Sequence, residues 1–424
     1  MADKEVFGLP KILISFRTKS TTAIARSARG IGVIILNDEN AFDADGNEEI
    51  KYFNIEDITD IPSSGISDKG VDLIKKALLG TPLRLHVYLI PPKTKTVMVA
   101  QEVDHDNDPD TAAVTTLVPT ETPSLIKQAD VLKKIQTVKW NYICHPTGGS
   151  QDQQDLSTWV KSQRKNKHKT FKAVVAHVDA DDYGVVNFTT DKIRVENPDY
   201  VDALEEADGD ATLVPSTIPQ YLTYSAAEYT ARIMGVLLGL ALDRSATYYE
   251  LSEVTDVAEY DDIDLHINDG ELCLIDEKDG NGVKIGRACN SLHTFTTDVG
   301  QDFRYIKIVE AVDLIFDDIH DTFRDEYVGK VINDYDHKML FIAAISVYFN
   351  GLKGNVLDKS PSAKNYVEID PEKNRDYAIL HGRDVSAMNE QEILETNTGT
   401  NVFLRGRVTP VNAMEDLAID FVMD

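Results

Sequence analysis

The chain has 424 residues, 42% hydrophobic and 27% charged, which is globular composition with length for two or three domains and excludes a disordered chain. Lys plus Arg number 43 against 71 Asp plus Glu, a formal charge of −28 that would repel a phosphate backbone and disfavours direct nucleic-acid binding. Three cysteines, Cys144, Cys273 and Cys289, contain no CxxC pair and argue against a disulfide framework or a structural zinc site.

The first ten residues show neither a cationic region nor a long apolar run, so no signal peptide is expected. The longest apolar runs, residues 233–242 and 339–349, fall short of the roughly 20 residues that span a bilayer, so no membrane insertion is expected. These features suit a reducing cytoplasm, with exit by lysis.

In chain order, Ile12, Ile14 and Phe16 recur at period two and predict a strand, followed by a polar linker over 18–22. A continuous apolar strand is expected over 32–36, a turn over 42–47 and another strand over 52–55. Val71, Ile74, Ala77 and Leu78 predict a helix over 67–79, with Gly80 placed as its C-cap glycine. A strand over 83–90 stops at Pro91-Pro92. Strand, helix and strand within 60 residues are an α/β signature.

Residues 104–110, Asp-His-Asp-Asn-Asp-Pro-Asp, read as a loop or insertion tip. Beyond them a helix is expected over 124–137 with Ser124 as cap, then a strand over 140–144 and a helix over 153–164. Strands over 171–178 and 185–189, an acidic loop over 205–210 and a nearly all-apolar helix over 226–242 follow. Residues 272–275 and 284–287 flank a turn and predict a hairpin. Ile308, Val309, Val312, Ile315, Phe316, Ile319 and Phe323 form one helical stripe, and a second helix is expected over 336–352. At the chain end Leu417, Ile419, Phe421 and Met423 alternate like a strand.

The search for catalytic chemistry returns only weak candidates. Cys144 and His145 end a predicted strand and would face opposite ways, so this His could not serve this Cys as a base. Gly148-Gly149 lies between strand and helix but fits neither GxxxxGK[ST] nor GxGxxG, and an ordinary βα turn explains it. His177, Asp179 and Asp181 could share a face for a metal, but no second carboxylate cluster supports them and a polar strand end suffices. The acidic loops do not fit an EF-hand. No cofactor, metal or catalytic residue is assigned.

The two chain ends are unusual because both read as strands. An edge strand that finds no partner in its own chain is a hazard unless a neighbouring subunit completes it, and pairing within the domain is the plain alternative. A donated arm on a heterologous surface builds rings or filaments rather than closed dimers.

Several motifs resemble contractile phage tail sheath proteins, most closely those of Gram-positive phages and phage-tail-like bacteriocins. They are Gly8-Leu9-Pro10 with the strand after it, Arg26-Ser-Ala-Arg-Gly-Ile-Gly-Val-Ile-Ile-Leu36, Thr230 to Gly239, Arg244-Ser-Ala-Thr-Tyr-Tyr249 and Val283 to Leu292. The densest match runs from Asp302-Phe-Arg304 through Asp313-Leu-Ile, Asp317-Asp-Ile, Asp321-Thr-Phe and Tyr327-Val-Gly-Lys-Val331 to Phe341-Ile-Ala-Ala344. It closes with Asn397 to Leu404 and Ala413-Met-Glu-Asp-Leu417, while residues 93–123 match least.

The resemblance implies a non-enzymatic subunit of mixed α/β and α+β fold: an α/β outer region, an α+β C-terminal domain and two extended β-strand arms. The expected plan is an N-terminal arm (1–22), an N-terminal subdomain (23–92), a variable insertion (93–123), a central subtilisin-like domain (124–295), a C-terminal inner domain (296–404) and a C-terminal arm (405–424). It implies a six-fold helical homopolymer around an inner tail tube protein, with baseplate and tail terminator proteins as further partners. Arm anchors would be Ile12, Ile14, Phe16, Leu417, Ile419 and Phe421, with Lys338 and Lys353 as tube-attachment residues. Assembly would occur in the host bacterial cytoplasm, and the product would be a virion tail or a tail-like particle released by lysis. The alternative is an α/β enzyme with a phosphate or metal site near Gly148, Gly149 and Asp179.

Overall fold

In the computed structural model, residues 23–103, 114–278, 280 and 282–423 are described. They divide into two compact units, one of residues 27–315 with 410–424 and one of residues 316–409 with those preceding 27.

The first unit is organised by a seven-stranded sheet. Its strands are β1 (Ile31–Asn37), β2 (Lys51–Ile55) and, after helix α1 (Asp68–Leu78), β3 (Arg84–Ile90). A hairpin of β4 (Thr94–Val103) and β5 (Val114–Pro123) interrupts the alternation. Helix α2 (Gln128–Ile135), β6 (Tyr142–Cys144), α3 (Ser150–Lys167), β7 (Lys172–Ala176) and β8 (Val185–Phe188) resume it. Then come β9 (Ile193–Glu196), α4 (Pro198–Glu206), β10 (Tyr221–Tyr224), α5 (Ala226–Gly239), β11 (Val254–Asp256), α6 (Ile263–Asn268) and β12 (Glu271–Leu272). A short hairpin, β13 (Leu274–Asp276) with β14 (Val283–Ile285), leads towards α7 (Ile306–Thr322), inside which the division between units falls.

The strand order is β12-β8-β7-β6-β1-β3-β2. All neighbours are parallel except β2, which runs antiparallel to β3. Strands from both the expected 23–92 and 124–295 regions therefore share one sheet and fold together, while β10-β9-β11 and β13–β14 form smaller sheets of their own. Helices cover both faces, which explains the uninterrupted apolar run of β1. Ile34 and Leu36 pack with α1 and α5, whereas Ile31, Val33 and Ile35 pack with α2 and α3.

Helices α1 and α5 touch backbone to backbone. A Cβ on Gly235 would lie 2.1 Å from the Ala77 carbonyl oxygen, and one on Gly80 would lie 2.0 Å from the Gly235 carbonyl carbon. Gly80 is thus a contact glycine and not the expected C-cap; Thr81 takes the left-handed conformation instead, at φ 55°. The Ser124 cap is also corrected: α2 begins after Lys127, and Ser124 donates to the Pro92 carbonyl.

A buried charge network holds the first half of α7 to the sheet. Arg164 grips Asp313 through two nitrogens at 2.9 and 3.0 Å, and Lys172 reaches Asp313 at 3.0 Å and Glu310 at 2.9 Å. Tyr142 donates to Glu310 at 2.7 Å, and Arg29 pairs with the same carboxylate. Burial alone would raise Asp313, but the Lys172 and Arg164 charges beside it hold its carboxyl below the ordinary range.

The second unit is mostly helical. A π-helical turn at Phe323–Tyr327 ends α7, and α8 (Tyr335–Leu352), β15 (Tyr366–Ile369), α9 (Pro371–Leu380), α10 (Glu390–Leu394) and β16 (Leu404–Arg407) follow. β15 and β16 form an antiparallel pair, Tyr366 opposite Arg407 and Ile369 opposite Leu404. The start of the expected 405–424 arm is therefore an intrachain strand, because β15 satisfies its main chain. The expected 93–123 loop is likewise a hairpin of two ten-residue strands, and its 104–110 tip lies outside the described residues.

Candidate functional site

The C-terminal segment combines exposed apolar surface with main chain that joins no helix or strand. Residues 411–423 form no helix or strand. Leu417, Ile419 and Phe421 are 85%, 57% and 85% exposed, and Val422 and Met423 are exposed beside them. Contiguous exposed apolar side chains on a soluble surface mark an interaction site. The matching N-terminal residues Ile12, Ile14 and Phe16 lie outside the described residues.

Just before the exposed stretch the chain is tied to the α/β unit. Ser245 Oγ and Thr247 Oγ1 donate to Glu415 Oε1 at 2.9 and 2.8 Å, and Thr247 Oγ1 in turn accepts the Ala288 N–H at 3.0 Å. Arg287 bonds Asp416 at 2.5 Å and lies 3.7 Å from the other Glu415 oxygen.

Exposed main chain is also available on the β15–β16 pair, which has two outer edges and adds no further strand among the described residues. Two four-residue strands are below what is stable alone, so this pair depends on packing or on added strands.

Of the two candidate attachment lysines, Lys338 is buried in the helical unit and donates to Thr398 Oγ1 at 3.0 Å. Burial pushes its ammonium below the ordinary lysine value. Only Lys353, at the end of α8, presents an exposed charge.

The α/β site of the alternative reading comes apart. Gly149 donates its N–H to Asp152 Oδ2 at 2.8 Å, and Lys93 pairs with the same carboxylate at 2.7 Å. The first turn of α3 therefore already carries a negative group where a phosphate would sit. His145 meets Gln128 in the interior, and burial lowers its imidazole to about 4, leaving it neutral near pH 7. Cys144 packs on the opposite face of the sheet in the core with α5, and burial pushes its thiol up. The cavity of about 400 Å³ beside α3 is lined by Lys93, Gln128, His145 and Asp152 and does not include Asp179.

Asp179 is exposed, 3.7 Å from His293, while His177 turns to Asp191 at 2.9 Å. Asp181 accepts the N–H groups of His293 and Thr294 at 3.0 and 2.9 Å. Among the described residues no three His, Cys, Asp or Glu side chains are grouped to hold a metal ion.

A tail sheath protein of Clostridium phage phiCD119 is 30% identical over 417 residues, covering 97% of this chain and 98% of the relative. The chain belongs to the phage tail sheath family. A family model described as the phage tail sheath C-terminal domain matches residues 298–424. The fold is shared with the sheath tail protein of Desulfitobacterium hafniense at TM-score 0.58 and 17% identity, over 85% of this chain and 94% of that one. It is shared with the contracted helical sheath of the anti-feeding prophage at TM-score 0.60 and 14% identity, over 99% and 100%. A sheath subunit is structural, so the mixed α/β and α+β architecture serves assembly and the enzyme alternative is set aside.

Sequence reasoning located the C-terminal apolar residues through their alternation. It missed the ties at Ser245, Thr247, Arg287, Glu415 and Asp416, although each lies within a motif quoted for the family resemblance.

Proposed function

We propose that this chain polymerises as stacked six-fold rings in a helical cylinder around an inner tail tube, and that contraction of the cylinder drives the tube through a target envelope. The observation that carries this reading is the exposed, strandless segment bearing Leu417, Ile419 and Phe421. It needs a partner sheet, and β15–β16 of another copy offers main-chain edges. Residues 1–22 act as the second arm, anchored through Ile12, Ile14 and Phe16. Lys353 contributes to tube attachment, and baseplate and terminator proteins close the two ends of the cylinder.

No nucleotide or cofactor enters this cycle, because contraction draws on free energy stored in the extended lattice. Rearrangement between two discrete sets of subunit contacts suits such a switch. Assembly takes place in the host cytoplasm, and the finished sheath is part of a virion tail or a tail-like particle. No helix among the described residues is long and apolar enough to cross a membrane.

Negative-stain electron microscopy of the concentrated protein, alone and co-expressed with its tube protein, tests the reading. Hollow striated cylinders are expected. Monodisperse particles in both preparations would contradict it.

A further inference from the structure

We infer that Glu415 and Asp416 form a polar clamp with Ser245, Thr247 and Arg287 that fixes where the C-terminal strand leaves the subunit. The inference rests on the strand-donation reading and adds to it the residues that position the donated strand.

Three stretches far apart in sequence converge on this point. Residues 245–247 supply two hydroxyl donors to Glu415 Oε1, Arg287 at the exit of the β13–β14 hairpin faces both carboxylates, and residues 413–416 bring the acids. The Glu415 side chain is 6% exposed, and its Oε2 is buried without a hydrogen bond, 3.7 Å from Arg287 Nε. Carboxylates held by charged and hydroxyl donors make the stronger class of hydrogen bond.

Met414 adds little apolar packing to this root. Met414 is fully exposed, although a crevice of about 460 Å³ lined in part by Ile263, Ile267 and Ile275 lies beside it. Retention therefore rests on the polar contacts, which single substitutions can remove.

The clamp also sets the length of the arm. The chain leaves the helical unit after Thr409, and residues 410–424 belong with the α/β unit. With Asp416 held, the segment from 417 reaches about 25 Å when extended. With the clamp open, the tether starts near residue 410 and is nearly twice as long. Effective concentration at an acceptor sheet falls as a flexible tether is lengthened beyond the span it must cross, so opening the clamp weakens each contact. The clamp thus keeps the donated strand short and aimed.

The test uses the full chain with a spin label at Met414→Cys, placed on an exposed side chain outside the clamp. In the otherwise unaltered protein the label is expected to move slowly in the dilute monomer. Glu415→Ala and Arg287→Glu are expected to abolish the slow component while leaving the melting temperature unchanged, and Arg287→Lys, which keeps the positive charge between both carboxylates, is expected to retain it. The critical concentration for cylinder formation should rise in Glu415→Ala and Arg287→Glu and stay near the parent value in Arg287→Lys.

A label already mobile in the parent, or unmoved by Glu415→Ala, would overturn the clamp. Loss of the slow component without any change in critical concentration would overturn its positioning role. Absence of cylinders from the unaltered chain would overturn strand donation and that role together, while label mobility would still decide whether the clamp exists.

Discussion

The seven-stranded sheet and the β15–β16 pair answer the same requirement in different ways. In the large sheet, helices bury both faces, and β12, the strand at one edge, is only two residues long. Its helices meet at glycines so close that no side chain fits, and buried ion pairs lock α7 onto it. The β15–β16 pair has four residues in each strand and, among the described residues, two open edges. The first sheet is complete within one chain, whereas the second leaves edges that, in the proposed reading, take strands from another copy. One protein can therefore be both a stable subunit and an unfinished piece of a lattice.

The sharpest way to break this division of labour is to remove the donated strand. Deleting residues 413–424 is expected to leave a folded subunit with unchanged helix content and to abolish cylinders, as judged by circular dichroism and negative-stain microscopy. Cylinders from the truncated chain would contradict strand donation at this end.

The converse change attacks the complete sheet. Gly235→Leu forces a side chain into the Ala77 carbonyl and is expected to cost at least about 3 kcal/mol, read as a large fall in melting temperature. Asp313→Ala leaves Arg164 buried without its carboxylate and Lys172 with Glu310 alone, which costs on the order of 3–5 kcal/mol. Asp313 also makes this unit acid-sensitive. Its folded value lies below the unfolded one, so its contribution is complete above the ordinary carboxylate range and is lost as pH falls through the folded value. Thermal melts of the unaltered chain should therefore drop at acid pH, and those of Asp313→Asn should start lower and depend less on pH.

Smaller effects separate the surfaces. Phe421→Ala removes one exposed anchor whose burial in a neighbour contributes about 1.5–3 kcal/mol, so the critical concentration for assembly should rise at least about tenfold with no change in melting temperature. Lys353→Glu should weaken co-assembly with the tube and leave stability intact. Lys338→Glu should instead lower the melting temperature, since that side chain is buried against Thr398.

Legibility in the sequence followed the same division. The α/β unit announced itself through local pattern: the apolar run of β1, the buried helix α5 and the strand–helix alternation all appear where periodicity places them. Errors arose where a long-range contact decided the outcome. Gly80 looks like a helix cap until α5 is seen pressing against it, and Ser124 looks like a cap although its hydroxyl is spent on Pro92. The acidic stretch at 205–206 ends a helix begun by Asn197 and Pro198 and was obscured by the polar run after it.

β15 and β16 lie far apart in sequence, so nothing local identifies their pairing. Leu417, Ile419 and Phe421 stand out in the sequence because alternation is local, and the structure leaves them exposed. The polar contacts of Glu415 and Asp416 do not stand out, because their partners meet them only in three dimensions.

Strand donation is decided by where residues 417–423 go in the assembled sheath. A helical reconstruction of cylinders by electron cryo-microscopy measures this directly. The expected result is an enlarged β15–β16 sheet carrying a strand traced to Leu417, Ile419 and Phe421 of another subunit. A β15–β16 pair that gains no strand in the cylinder, with residues 417–423 lying on their own subunit, would contradict it.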